Sequence, residues 1–96
     1  MEVDDILQGK RDDIQRIARK HGARSVWIFG SVARGDADDT SDVDFLVEME
    51  RSRSMLDMGG LLMDLRELLG RDVDVVSVRG LKPRIRDRVL REAVAL

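Results

Sequence analysis

The sequence predicts a small α/β domain in which a three-stranded sheet is layered with about four helices. Three observations predict it. Stretches with apolar residues at helical spacing are interleaved with short apolar or alternating runs. Glycines mark most of the boundaries between them. The resulting order is helix, strand, strand, helix, strand, helix, with one further helical turn after Gly30, which is the pattern of an α/β layer. At 96 residues the chain is one domain, because a chain this size hides only roughly 65% of its unfolded surface and so builds one modest core.

Residues 3–21 read as one helix. Val3, Ile6, Leu7, Ile14, Ile17 and Ala18 fall on one stripe, Gly9 weakens the middle and Gly22 ends it. Ser25-Val26-Trp27-Ile28-Phe29, bounded by Gly22 and Gly30, reads as a strand buried on both faces. Residues 36–42 are a polar loop. From Asp42 to Met49 the chain alternates, with Val43, Phe45 and Val47 on one face and Asp42, Asp44 and Leu46 on the other. That is a strand with one end in water. Ser54 starts the next helix and Asp57 closes a capping box. Met58, Leu61, Leu62, Leu65, Leu68 and Leu69 form its stripe, and Gly70 ends it. Val73 to Val78 is the third strand. Pro83 lies near the first turn of a last helix carrying Ile85, Val89, Leu90, Ala93 and Val94. Three strands are few, which leaves a sheet edge or a helix face for another subunit to complete.

Composition excludes several classes. Charged residues reach 38%, above the roughly 25% average, yet 17 basic residues nearly cancel 19 acidic ones, so self-repulsion does not unfold the chain. No apolar run approaches the ~20 residues that span a bilayer. The opening MEVDDILQGK is acidic where a secretory signal is basic. The absence of cysteine excludes a disulfide scaffold and Cys-ligated metal sites. A cytoplasmic protein is expected. The balanced charge speaks against direct nucleic-acid binding.

The chemistry lies between Gly30 and Asp44. A buried strand running into Gly30-Ser31 and a helical turn points backbone N–H groups outward, which favours an anion. Glycine lets a phosphate approach the backbone and serine adds a hydroxyl donor. Arg34, one turn on, is placed to reach the same anion. Asp42 and Asp44 project from one face of a strand, where two carboxylates repel unless a cation joins them, and hard divalent cations suit oxygen ligands. Asp74 adds a third carboxylate from amid apolar neighbours, where an ionised group needs a partner or a metal. Asp72, nearer the strand entry, reads as solvated. A phosphate cradle beside a carboxylate metal site is what phosphoryl or nucleotidyl transfer requires.

The plainer alternatives are weighed against this. Taken singly, Gly-Ser is a turn and Asp-Val-Asp a strand end. An EF-hand beginning at Asp36 requires Gly at 41 and Glu at 47, where the chain has Ser41 and Val47. A Walker A loop is missing. His21 reads as a helix-end residue, and without a cysteine or a histidine base Ser31 is a poor nucleophile. Arg84, Arg88 and Arg91 share a solvated basic face, or contact a triphosphate or an acidic partner. Met55, Met58 and Met63 read as core filler. Trp27, Phe29 and Phe45 read as packing behind the site.

Gly30-Ser31, ten intervening residues and Asp42-x-Asp44 together resemble the signature of the DNA polymerase beta-type nucleotidyltransferase superfamily. More narrowly, Gly30-Ser31-Val32-Ala33-Arg34-Gly35-Asp36 followed by Ser41-Asp42-Val43-Asp44 resembles the minimal nucleotidyltransferase (MNT) proteins. The resemblance extends over nearly the whole chain, through Val73-Asp74-Val75-Val76 to the closing Arg86-Asp87-Arg88-Val89-Leu90-Arg91-Glu92-Ala93-Val94.

The resemblance implies a small nucleotidyltransferase fold with a three-stranded mixed sheet packed with about four helices, spanning residues 1–96 as a single domain. It implies that Gly30 and Ser31 hold the β- and γ-phosphates of ATP, with Arg34 and Ser41 also on the nucleotide side. Asp42, Asp44 and Asp74 would be the catalytic carboxylates and bind two Mg²⁺ ions, Asp74 also helping to deprotonate the acceptor hydroxyl. AMP would pass to that hydroxyl and pyrophosphate would leave. MNT proteins resemble antitoxins that adenylylate a tyrosine of a HEPN-domain RNase toxin, so a HEPN partner in a hetero-oligomer is implied. Two other readings stand beside this one: neutralisation of the toxin by binding alone, and nucleotidyl transfer to a small molecule. Larger relatives grip base and acceptor with a second, helical domain that this chain lacks, which leaves a partner or a second copy to complete the site.

Overall fold

The computed structural model describes residues 2–96. In chain order the elements are α1 (Val3–Leu7), α2 (Arg11–Lys20), β1 (Ala23–Phe29), α3 (Gly30–Arg34), β2 (Val43–Met49), α4 (Met55–Leu69), β3 (Val73–Ser77), a 3-10 turn (Val78–Gly80), α5 (Pro83–Glu92) and β4 (Val94–Ala95). The strands form one mixed sheet in the order β3-β2-β1-β4. β2 pairs with β3 in parallel, and β1 pairs antiparallel with both β2 and β4.

Strand alternation divides the core between the two sheet faces. Ile28, Val43, Phe45 and Val47 face one side and pack with Ile14, Ala18, Val32, Leu61 and Leu65 from the helices. Phe45 is fully buried there, a contribution of about 2–3 kcal/mol for removing such a side chain from water. Leu46 points the other way and packs with Trp27, Phe29 and Val76 under Leu81, Ile85 and Val89. α5 therefore covers one face while α2 and α4 cover the other. Trp27, Phe29 and Phe45 are packing residues, as expected.

Four expectations are corrected. The single helix over 3–21 is two helices. Gln8 and Gly9 both take left-handed backbone (φ 48° and 77°), which turns the chain between them. The apolar spacing looked continuous because both helices pack on the same core: Ile6 and Leu7 from α1, Ile14 and Ala18 from α2. The last helix stops at Glu92, and Ala93 is extended, so Val94 lies in a strand. That fourth strand completes the edge beside β1 from within the chain, where another subunit was anticipated: Trp27 faces Ala95 and Ile28 faces Val94. Among the described residues the count is thus four strands and five α-helices, with one 3-10 turn besides. Finally, only Met58 of the three methionines packs against the core, while Met55 and Met63 lie on the exposed side of α4.

The helix ends follow local chemistry. The Ser54 side chain accepts from the Leu56 N–H, and Asp57 accepts from the Ser54 N–H at 2.9 Å. Gly70 closes α4 with φ 64°. His21 caps the C-terminus of α2, as its sequence position suggests, and its Nε2 lies 2.6 Å from Asp64 of α4. Among the described residues no helix is long and apolar enough to cross a membrane.

Two outcomes are expected. In a continuous helix Gly9→Ala would stabilise by ~1 kcal/mol. At φ 77° it destabilises instead, by about 1 kcal/mol or more, read as a lower urea midpoint. The capping hydrogen bond from the Ser54 N–H, with Arg53 nearby, holds the Asp57 carboxyl below the usual aspartate range. A carboxyl depressed in the folded state adds stability above its unfolded pKa and loses it as pH falls through the folded one. Asp57→Ala therefore lowers Tm at pH 7, and the gap to the parent closes in strong acid.

Candidate active site

β1 leaves the sheet at Phe29 in extended backbone, and Gly30 turns it into α3 with φ 74°. A residue with a side chain is strained at that angle. A Cβ at Gly30 would also collide with Asp44 Oδ2. Glycine here thus serves two ends at once, the turn and the approach of a carboxylate to the backbone. Ser31 follows, half-buried in the first turn.

Sheet register assembles the rest. Phe29 on β1 pairs with Asp44 on β2, and Asp44 pairs with Asp74 on β3. Side chains paired across neighbouring strands share a face, so the two carboxylates stand side by side next to the Gly30 turn. Asp42 lies just before β2 and is exposed. Burial, then repulsion from Asp74 and Asp42, pushes the Asp44 carboxyl above the usual range, and Arg34 offsets this in part. Asp74 is exposed, contrary to its apolar sequence neighbours. Val73 and Val75 point to the opposite face and join the first core cluster. Asp72 is solvated as expected, its side chain 76% exposed and paired with Arg66 at 3.4 Å.

The carboxylates share one sheet end without converging on one point. Among the described residues no three His, Cys, Asp or Glu side chains stand close enough to hold a metal ion. The donor set nevertheless suits a hard divalent cation: it is all oxygen, and burial with the nearby Asp74 and Asp42 makes the Asp44 carboxylate costly to ionise without a cation.

Two sequence-derived positions are engaged elsewhere. Arg34 donates from Nε to Asp36 and from Nη1 to Glu92, both at 3.2 Å, tying α3 to α5. The Asp36 hydrogen bond, with help from Glu92, raises its pKa further. The Ser41 hydroxyl accepts from the Asp38 N–H at 3.0 Å and lies 3.2 Å from Asp38 Oδ1, so it organises the 36–42 loop. Thr40 and Ser41 hold the Asp38 carboxyl below its usual range.

Sequence reasoning missed the other side of this loop and of the carboxylates. Arg71 donates from Nη2 to the carbonyls of Asp38 and Ser41, at 2.9 and 2.8 Å, and clamps the loop to the entry of β3. Nothing in the local pattern marks it. A cavity of about 360 Å³ opens beside the carboxylates, lined by Phe29, Asp44, Asp74, Val76, Lys82 and Arg84 among others. The run of bases near Pro83 was its only sequence signal. A larger hollow of about 580 Å³ lies by Ser41, Arg66 and Arg71, away from the Asp44–Asp74 row.

Residues 12–96 match the family described as polymerase beta, nucleotidyltransferase. A Methanocaldococcus jannaschii protein, named as a protein adenylyltransferase, is 45% identical over 78 residues, covering 81% of this chain and 84% of its own. The protein adenylyltransferase MntA of Thermococcus cleftensis is 39% identical over 93 residues, covering 97% and 91%. Among solved structures, one described as a minimal nucleotidyltransferase superposes with a TM-score of 0.88 at 47% identity, covering all of this chain and 97% of that one. At fold level the likeness extends to a toxin–antitoxin complex with AMP-PNP (TM-score 0.75, 22% identity, 88% and 69% covered). It extends also to a tri-AMPylated Shewanella oneidensis HEPN toxin in complex with its MNT antitoxin (TM-score 0.69, 20% identity, 92% and 69% covered). Glycine turn, carboxylate row and relatives agree: this chain belongs to the polymerase beta nucleotidyltransferase family, among its minimal nucleotidyltransferases.

Proposed function

We propose that this chain transfers AMP from ATP to a hydroxyl, a tyrosine, of a HEPN-domain RNase toxin in the cytoplasm and so acts as the antitoxin. The observation that carries this reading is the pairing of Asp44 with Asp74 directly beside the Gly30 turn. The relatives named as protein adenylyltransferases support the reaction, and the toxin–antitoxin fold neighbours support the partner.

In this proposal Gly30 and Ser31 bind the β- and γ-phosphates, and Arg34 and Ser41 join the nucleotide side on release from Asp36, Glu92 and Asp38. Asp42, Asp44 and Asp74, which stand along one sheet end, would hold two Mg²⁺ ions. When bound, such ions neutralise the triphosphate and make the acceptor oxygen a better nucleophile. Asp74, at the solvent-open end of the row, takes the acceptor proton. The acceptor oxygen bonds to the α-phosphorus, the bond to the bridging oxygen breaks, and pyrophosphate departs.

Incubation with Mg²⁺, α-labelled ATP and the partner toxin tests this. Label on a toxin tyrosine is expected with the parent protein, and an Asp42→Asn/Asp44→Asn variant should transfer at least about a hundredfold more slowly, since metal stabilisation of a transition state is worth several kcal/mol. A tight complex without label would instead assign neutralisation to binding alone. The same variant reports on the charge cluster. In metal-free buffer at pH 7 it is expected to melt at or above the parent's Tm, because carboxylate repulsion is relieved. Adding Mg²⁺ with ATP should raise the Tm of the parent and leave the variant unmoved; equal shifts for both would remove these aspartates from the metal site.

A further inference from the structure

α4 carries an apolar outward face. Of the five large apolar side chains exposed among the described residues, three lie in this helix: Met55 at 80%, Leu56 at 87% and Met63 at 61%. The core-facing stripe runs through Leu61 and Leu65. On the opposite face Leu56, Gly59 and Met63 follow at spacings of three and four, the seam by which one helix pairs with another.

Gly59 stands in the middle of that seam. It lies inside the helix, and a Cβ there would meet nothing within 4 Å. Neither a turn of the chain nor its internal packing asks for glycine, which weakens a helix interior relative to alanine. Gly60 differs, because a Cβ there would lie 2.8 Å from His21 Cε1. A glycine with no internal reason, between exposed apolar side chains, fits the close approach of a second backbone from outside.

The pattern is the same read in either direction. Leu56 stands three residues before Gly59, and Met63 three after Gly60. A second α4 laid antiparallel across the Gly59-Gly60 step sets Leu56 of each copy against Met63 of the other. A two-fold contact requires this, since one patch must complement itself. Charge agrees at the ends. Arg51, just ahead of the helix, comes to the last turn of the other copy, where Glu67 lies. Both are exposed, and neither forms an ion pair among the described residues. Arg53 and Arg66, which come to one level, are each neutralised within their own chain, by Glu50 and Asp57 and by Asp72.

We infer that α4 is a self-association surface: two copies of this chain pair through Leu56, Gly59 and Met63, antiparallel about a two-fold axis at the Gly59-Gly60 step, with Arg51 of each meeting Glu67 of the other. The inference is independent of the proposed reaction. α4 packs on the core side of the sheet, whereas Asp44 and Asp74 project from the other face, so both sites stay open in the dimer. One face of a single helix is smaller than the roughly 800 Å² per partner of a standard interface, so the dimer is weak, half-formed at about 100 µM.

Sedimentation equilibrium on the full chain, from micromolar to millimolar concentration, tests this. The parent's mass is expected to rise from one chain to two. Met63→Glu should stay monomeric throughout, since each dimer would bury two carboxylates. Gly59→Gln separates a contact surface from a structural role. As a better helix former it raises the Tm of the dilute monomer, yet its bulk at the crossing weakens association at least about tenfold. Circular dichroism verifies that these variants fold, as expected at exposed positions. Charge reversal reads the orientation: Arg51→Glu and Glu67→Arg should each weaken the dimer severalfold, and the two together restore it.

A parent that stays monomeric at millimolar concentration would overturn the inference. So would a dimer that Met63→Glu and Gly59→Gln leave unchanged, or charge reversals that do not rescue each other. If the monomeric parent instead shows α4 amide shifts by NMR when the partner toxin is added, the face belongs to the toxin.

Discussion

The close approach of Asp44 to the backbone at Gly30 is the constraint around which the site is arranged. It requires a residue without a Cβ, in left-handed backbone, at the point where β1 turns into α3. It also requires β2 to pair with β1 so that Asp44 stands opposite Phe29. A slip of one residue would turn Asp44 into the core packed by α2 and α4 and bring Val43 or Phe45 to the turn. The register is held by that core, because Val43, Phe45 and Val47 are fully buried on the other face. Packing on one side of the sheet thereby sets the chemistry on the other.

The parallel pairing of β2 with β3 adds the second carboxylate by the same logic. Val43 with Val73 and Phe45 with Val75 align on the core face, which leaves Asp44 and Asp74 together on the open one. Burial first, and then the neighbouring Asp74 and Asp42, raise the Asp44 carboxyl, so its ionised form is unfavourable there by itself. Local rules of stability are followed elsewhere, in the capping box of α4 and in the acidic first turns of α1 and α2. They are broken around Asp44 and at the start of α5, where cations occupy the positive end of a helix. Departures of this kind gather where function outweighs stability.

The supporting structure is economical in length. Two residues of β4 close the sheet edge beside β1, and the Leu96 N–H donates to the Val26 carbonyl. Arg34 ties the turn after β1 to the last helix through Glu92, while Arg71 clamps the acidic loop from the side of β3. The phosphate turn, the carboxylate row and the basic start of α5 are thereby held to one end of the sheet.

What could be read from the sequence was whatever is encoded by local pattern. The alternation from Asp42 to Met49, the stripe and caps of α4 and the Gly30-Ser31 turn are all local, because period, capping and backbone freedom act over a few residues. The motif spacing also carried the family resemblance. Other features depended on which distant segments meet. The break at Gln8-Gly9 was masked because both helices present one stripe to a shared core. β4 is too short to carry a period, and it exists through its pairing with β1. Asp74 looked buried because its neighbours in sequence are apolar, whereas alternation sends those neighbours to the opposite face. The cavity joining Asp74 to Lys82 and Arg84 arises only when α5 folds back over the sheet, and long-range packing of that kind leaves no mark in a local window.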